Sequence, residues 1–232
     1  MPGALSRRVV AEFVATTFLL AAIVGSGIMG ERLAGGNVAI ALLANSLATG
    51  GALFALIATF QPISGAHLNP VVTLVDAWDG GLPWRHTPIV IVAQFAGAAA
   101  GVWLAHLMFG EPWISVSTHD RGGFAPIASE FVATFGLVIV ILGCARRRAD
   151  FVPFAVSAYI VGAYWFTAST AFANPAVTVA RGMTSTFAGI RPGDVDGFVL
   201  AQLAGGAAGA VLLRWLLSGS PESTRVARRG QD

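Results

Sequence analysis

Asn69-Pro70-Val71-Val72-Thr73 and Asn174-Pro175-Ala176-Val177-Thr178 are one five-residue pattern written twice in a single chain. Asparagine is a favoured helix N-cap. Proline at the first helical position sacrifices no hydrogen bond, because that amide has no intrahelical partner. Each Asn-Pro pair therefore predicts a short apolar helix: from Asn69 to Trp78 in one copy and from Asn174 to Gly182 in the other. Neither is long enough to cross roughly 30 Å of hydrocarbon, which takes about 20 residues.

Working outward, both patterns sit inside a longer duplication. Glu12-Phe13-Val14-Ala15-Thr16 recurs as Glu130-Phe131-Val132-Ala133-Thr134, and Ala93-Gln94-Phe95-Ala96-Gly97 is echoed by Ala201-Gln202-Leu203-Ala204-Gly205. Three matches in the same order mark two halves of common design. Within them, Gly97 and Gly101, and again Gly205 and Gly209, are small residues one helical turn apart that let backbones approach closely. These are packing positions and imply no chemistry.

Composition says where the halves reside. Of 232 residues 14 are basic and 12 acidic, while 55% are apolar and 28 are glycine; mean hydropathy is +0.72. A soluble domain of this size needs far more polar surface, since about a quarter of its residues are usually charged. A disulfide framework and a multi-cysteine metal site are excluded by the single Cys144. The pI near 9.3 suggests no nucleic-acid partner, because the basic residues, all arginine, are scattered between apolar stretches. Six stretches are long and apolar enough to span a bilayer, near 9–30, 35–60, 88–109, 127–145, 151–170 and 196–217. The first follows Ser6-Arg7-Arg8, like a signal peptide, but its apolar run is too long for one and more spans follow, so it reads as a retained helix. The whole chain reads as one domain: a first repeat over about 9–109, a second over about 127–217, and a polar, Arg-rich, disordered tail at 218–232.

Arginine placement orients the spans. With the N-terminus in the cytoplasm, the inner side holds Arg7, Arg8, Arg85, Arg146, Arg147, Arg148, Arg214, Arg225, Arg228 and Arg229, against only Arg32, Arg121, Arg181 and Arg191 outside. Both termini are expected inside. Three spans per half is an odd number, so the second copy enters the membrane from the opposite face: an inverted repeat. The two short helices then dip in from opposite sides and meet near the midplane, where irregular backbone survives only if buried or lining a water-filled path. Two helix N-termini facing each other make a positive potential that opposes cations and protons, while the Asn69 and Asn174 amides offer hydrogen bonds to a neutral solute. One such motif would merely cap a loop; two at matching repeat positions point to a pore.

With Ala11-Glu12-Phe13, Ser64-Gly65-Ala66-His67-Leu68-Asn69-Pro70 and Asn174-Pro175-Ala176 in this order and spacing, the chain from about 9 to 217 resembles the major intrinsic protein family, the aquaporins and aquaglyceroporins. Val71 departs from the family's usual alanine. The resemblance implies an all-α membrane protein of six transmembrane helices plus two re-entrant half-helices around one pore per chain, in a homotetramer within the cell membrane and without a cofactor. In that family the glutamates equivalent to Glu12 and Glu130 hold the backbone of the re-entrant loops. Intramembrane carboxylates also admit a proton-coupled transporter, though symmetric placement favours bracing. His67 reads as loop-fixing or pore-lining rather than metal-binding, because no partner stands at ligand spacing. No nucleophile–base set, phosphate loop or metal cluster suggests an enzyme.

Aquaporin-like channels have a second narrowing of four positions. Counted without gaps from the asparagines, these are Thr49, Gly162 (with Ala163 as rival), Ala171 and Val177. The first is aromatic and the last arginine in most members; here all four are small or medium and uncharged. Arg181, one turn beyond Val177, either enters the outer vestibule or reaches out to headgroups. A wide neutral ring predicts passage of uncharged solutes larger than water, such as glycerol, urea and arsenous acid, with bulkier organic arsenicals sterically admissible. The pattern is most similar to bacterial arsenic-resistance-associated aquaglyceroporins of the aquaporin S type. An ordinary water channel, its ring narrowed by residues the gapless count misses, is the alternative.

Overall fold

The computed structural model describes residues 2–218, so the tail expected to be disordered lies almost wholly outside the described residues. Among the described residues there are eight α-helices and no strand. They are α1 (Pro2–Leu33), α2 (Val38–Ser64), α3 (Pro70–Trp78), α4 (Thr87–Phe109), α5 (Phe124–Ala145), α6 (Val152–Phe166), α7 (Pro175–Arg181) and α8 (Pro192–Ser218). Six of them, α4 and α6 together with the short 3₁₀ turn that precedes each, are long and apolar enough to cross a membrane. The remaining two, α3 with nine residues and α7 with seven, are the half-helices expected from the Asn-Pro pairs.

The halves correspond element by element. Thus α1 packs chiefly on α4 and α2, as α5 does on α8 and α6, and one 3₁₀ turn leads into each of α4 and α6. Their interlock follows from the short helices crossing over: α3 packs on α8 of the other half as well as on α4, and α7 on α4 as well as on α8. The glycine pairs do what their spacing promised. A Cβ on Gly97 would strike the Phe13 carbonyl and one on Gly101 the Thr17 carbonyl; Gly205 and Gly209 stand the same way against Phe131 and Phe135. Close backbone contact at equivalent places therefore joins α1 to α4 and α5 to α8.

Outward faces carry large apolar side chains, among them Phe18, Leu47, Leu107, Phe154, Leu200 and Val211, all more than half exposed. On a soluble protein such a surface would aggregate; against lipid tails it costs nothing. Polar groups turn inward instead. Glu12, Glu130, Gln94, Gln202, Thr73 and Thr178 are completely buried, and each side chain belongs to the network that shapes the centre of the molecule.

Candidate functional site

The segments leading into the half-helices, 65–69 and 170–174, have unusual backbone. Ala66 and Leu68 in the first, and Ala171 and Ala173 in the second, adopt φ of +49°, +52°, +47° and +49°. These left-handed values fall at equivalent distances before Asn69 and Asn174, and non-glycine residues hold them only when surroundings over-determine them. The surroundings are the two buried glutamates. Glu12 Oε1 accepts from the His67 amide at 2.9 Å and the Ser64 hydroxyl at 2.7 Å; Oε2 accepts from the Leu68 amide at 2.7 Å and from Gln94 Nε2 at 2.8 Å. Glu130 repeats the scheme, taking the Phe172 and Ala173 amides at 2.8 Å each and Gln202 Nε2 at 2.6 Å.

Gln94 and Gln202 then donate to Thr73 Oγ1 and Thr178 Oγ1, both at 2.8 Å, and those hydroxyls donate to the Asn69 and Asn174 carbonyls. A carboxylate, an amide and a hydroxyl thus tie each re-entrant loop to the first turn of its half-helix. The repeated Ala-Gln and Asn-Pro segments contained all of these residues, but sequence spacing gave Gln94, Gln202, Thr73 and Thr178 no role.

Asn69 and Asn174 cap their helices as expected. Asn69 Oδ1 accepts from the Val71 amide at 2.9 Å, and Asn174 Oδ1 from the Ala176 and Val177 amides at 3.0 and 3.3 Å. Their amide nitrogens reach across the repeat: Asn69 Nδ2 donates to the Ala173 carbonyl and Asn174 Nδ2 to the Leu68 carbonyl, both at 2.7 Å. A carboxamide has two N–H donors, so each keeps one for a solute. Pro70, Pro175, Val71 and Ala176 lie buried behind them. The larger Val71 is accommodated where Gly206 of α8 faces it without a side chain.

Both asparagines line one cavity of about 390 Å³. Its walls are mainly apolar: Leu53 and Ile57 of α2, Leu137 and Ile141 of α5, and Val156 and Ile160 of α6. Gln61 of α2, His67 of the first loop and Asp76 of α3 also line it, with His67 Nδ1 3.1 Å from Thr73 Oγ1 and Nε2 3.5 Å from Asp76. Among the described residues, no group of three His, Cys, Asp or Glu is arranged to hold a metal.

At the other end the cavity is lined by Thr49, Ala171 and Val177, and not by Gly162 or Ala163. Gly162 is exposed on the far side of α6 and Ala163 is buried in packing. Tyr164 of α6 lines the cavity, with its hydroxyl 3.3 Å from Thr49 Oγ1 across the gap between α2 and α6. At about 100° per residue, the two-residue offset from Gly162 to Tyr164 turns a side chain to the opposite face of α6.

Arg181 lines the cavity too and does not reach for headgroups; only 2% of it is exposed. Its Nε donates to the Ala188 carbonyl and its guanidinium carbon lies 3.4 Å from the centroid of the Phe172 ring. Arg121, from the segment joining α4 to α5, also lies over Phe172, at 5.1 Å, and donates to the Gly189 and Phe187 carbonyls at 2.7 and 3.3 Å. Nothing in the sequence signalled Arg121. Nearby His119 has its pKa lowered, first by burial and then by the Arg121 and Arg181 charges.

Comparison with known proteins places this geometry. The family model described as "Major intrinsic protein" matches residues 3–167. The chain is 52% identical over 213 residues to the aquaglyceroporin AqpS of Rhizobium meliloti, covering 92% of this chain and 91% of the relative. It is 30% identical to aquaporin Z of Bradyrhizobium diazoefficiens over 95% of this chain and 96% of that one. Among solved structures, the aquaglyceroporin of Plasmodium falciparum superposes with a TM-score of 0.67 at 19% identity, covering 91% of this chain and 95% of its own, a likeness of fold.

Proposed function

Because the chain belongs to the major intrinsic protein family, we propose that it is a passive transmembrane channel for small neutral solutes: glycerol, urea and undissociated arsenous acid, together with water. The observation that carries this reading is the cavity shared by Asn69 and Asn174, largely apolar along its walls, with Val177 contributing no charge to the ring it shares with Thr49, Tyr164 and Ala171. A neutral polyol or trihydroxylated metalloid exchanges water for the free asparagine donors and leaves no charge to desolvate. Larger organic arsenicals fit the same logic where Val177 leaves space.

A coupled transporter finds no support. Glu12 and Glu130 are fully buried, do not line the cavity, and spend their oxygens on loop amides. The ordinary water channel has one observation in its favour: Tyr164 contributes a phenol where the count had expected a glycine. Similarity to AqpS across nine-tenths of both chains favours the wider range of solutes. The family's homotetramer and the positive-inside rule complete the reading, with both termini cytoplasmic and one pore per subunit.

The test is Val177→Arg, measured by vesicle uptake. A guanidinium at this point narrows the ring and should cut glycerol and arsenite flux about tenfold, the effect of roughly 1.4 kcal/mol of added barrier, with water flux largely kept. Unchanged glycerol and arsenite flux would remove Val177 from the constriction.

A further inference from the structure

Val177 brings no charge to the ring, yet the same half-helix carries a guanidinium one turn further along the cavity. We propose that this pore selects by size and by charge at two separate levels, the ring of Thr49, Tyr164 and Val177 setting size and Arg181, with Arg121, excluding cations. The inference rests on the channel reading and names the residues that keep so open a ring from leaking ions.

Four features support it. First, a guanidinium stays protonated in a protein, and Arg181 has no carboxylate partner among the described residues, so its charge is not cancelled. Second, at 2% exposure the charge acts through a poorly screening medium, which strengthens its effect on a passing ion. Third, the group is held in place: Nε is anchored on the Ala188 carbonyl and the flat face lies on Phe172, a cation–π arrangement. Its terminal N–H groups have no protein acceptor among the described residues, and so remain available to a solute oxygen. Fourth, Arg121 shares the same ring and ties the flanking Phe187 and Gly189 carbonyls. Asp194 is engaged by Arg191 and by the Arg121 backbone amide, and Glu130, the buried carboxylate whose charge reaches both arginines, gives its oxygens to the Phe172 and Ala173 amides, so neither guanidinium has a carboxylate at ion-pair distance among the described residues. A cation entering here meets the Arg181 charge at the cavity wall, reinforced by Arg121 on the same Phe172 ring, whereas a neutral molecule of equal size meets hydrogen-bond donors.

Urea and guanidinium test this directly, being planar and close in size but differing by one charge. Labelled urea and guanidinium, both at millimolar concentration, are taken up by vesicles carrying the full chain. Wild type should admit urea and exclude guanidinium. Arg181→Gln should lower the urea-to-guanidinium ratio by about tenfold or more, within the range over which fixed charge alters local ion concentration; Arg181→Lys should keep it near wild type. If Arg181→Gln fails to fold, Arg121→Gln, which removes the second charge from outside the cavity lining, should shift the urea-to-guanidinium ratio in the same direction. A folded variant that conducts urea and still excludes guanidinium as wild type does overturns the proposal. So does a folded Arg181→Gln that loses urea flux, since Arg181 would then position solute rather than exclude ions. Absence of urea and glycerol flux in wild type would instead remove the channel reading itself.

Discussion

At the scale of single residues, the two buried glutamates repay their burial through geometry. A carboxylate in the middle of a membrane helix costs a few kcal/mol on insertion scales; here it satisfies loop amides that the left-handed residues beside them turn away from regular structure. Replacing Glu12 by glutamine exchanges one acceptor oxygen for an N–H donor among groups that are themselves donors. The expected cost is about 2–4 kcal/mol of stability, read by thermal unfolding. Solute flux per folded channel should persist and ignore a proton gradient; flux lost from a folded Glu12→Gln protein would revive the coupled carrier. His119 gives a pH prediction. Its pKa is lowered from 6.5 by burial and by Arg121 and Arg181, opposed by Glu31 and a hydrogen bond with the Thr186 backbone. The folded protein therefore binds fewer protons than the unfolded chain below about pH 6.5. Stability should fall as pH drops from there toward the lowered native value, then level off, and His119→Gln should flatten that slope.

At the scale of elements, the half-helices were legible because their cause is local: a capping asparagine and a first-turn proline suffice to start a helix, and a short apolar run limits its length. Span positions were legible from hydropathy, although α1 begins earlier and α6 ends sooner than the apolar stretches suggested, because Thr167 already turns into the re-entrant segment. The ring was only half legible. Of the residues proposed for it, Thr49, Ala171 and Val177 follow from counting and line the cavity, whereas Tyr164 depends on the rotation of α6 about its axis, set by packing such as Val161 against Gly50. Arg121 depends on the path of the α4–α5 connection, which no local pattern encodes. Glycine packing provides the element-scale prediction. Gly97→Ala and Gly205→Ala should each force α1 from α4 or α5 from α8, costing about 1–3 kcal/mol as overpacking does. Gly51, with open space around it, should accept alanine without loss of stability in the same unfolding assay.

At the scale of the whole molecule, duplication with inversion brings two weak signals to one place. Neither half contains a pore; the cavity exists because α3 and α7 enter from opposite sides and exchange asparagine hydrogen bonds with each other's loops. Arginine asymmetry predicts the orientation. With Cys144→Ala as background, an impermeant thiol reagent outside intact cells should label Asp120→Cys, in the α4–α5 connection, and spare Arg148→Cys between α5 and α6; the reverse pattern would invert the topology. The central claim is that this interlocked pair of half-helices forms an open, uncoupled path for neutral solutes larger than water. It is tested most directly by uptake of water, glycerol, urea and arsenite in one vesicle preparation, with and without an imposed proton gradient. All four should enter down their own gradients at rates indifferent to the proton gradient. Uptake of water alone, or accumulation of any solute against its gradient, would contradict it.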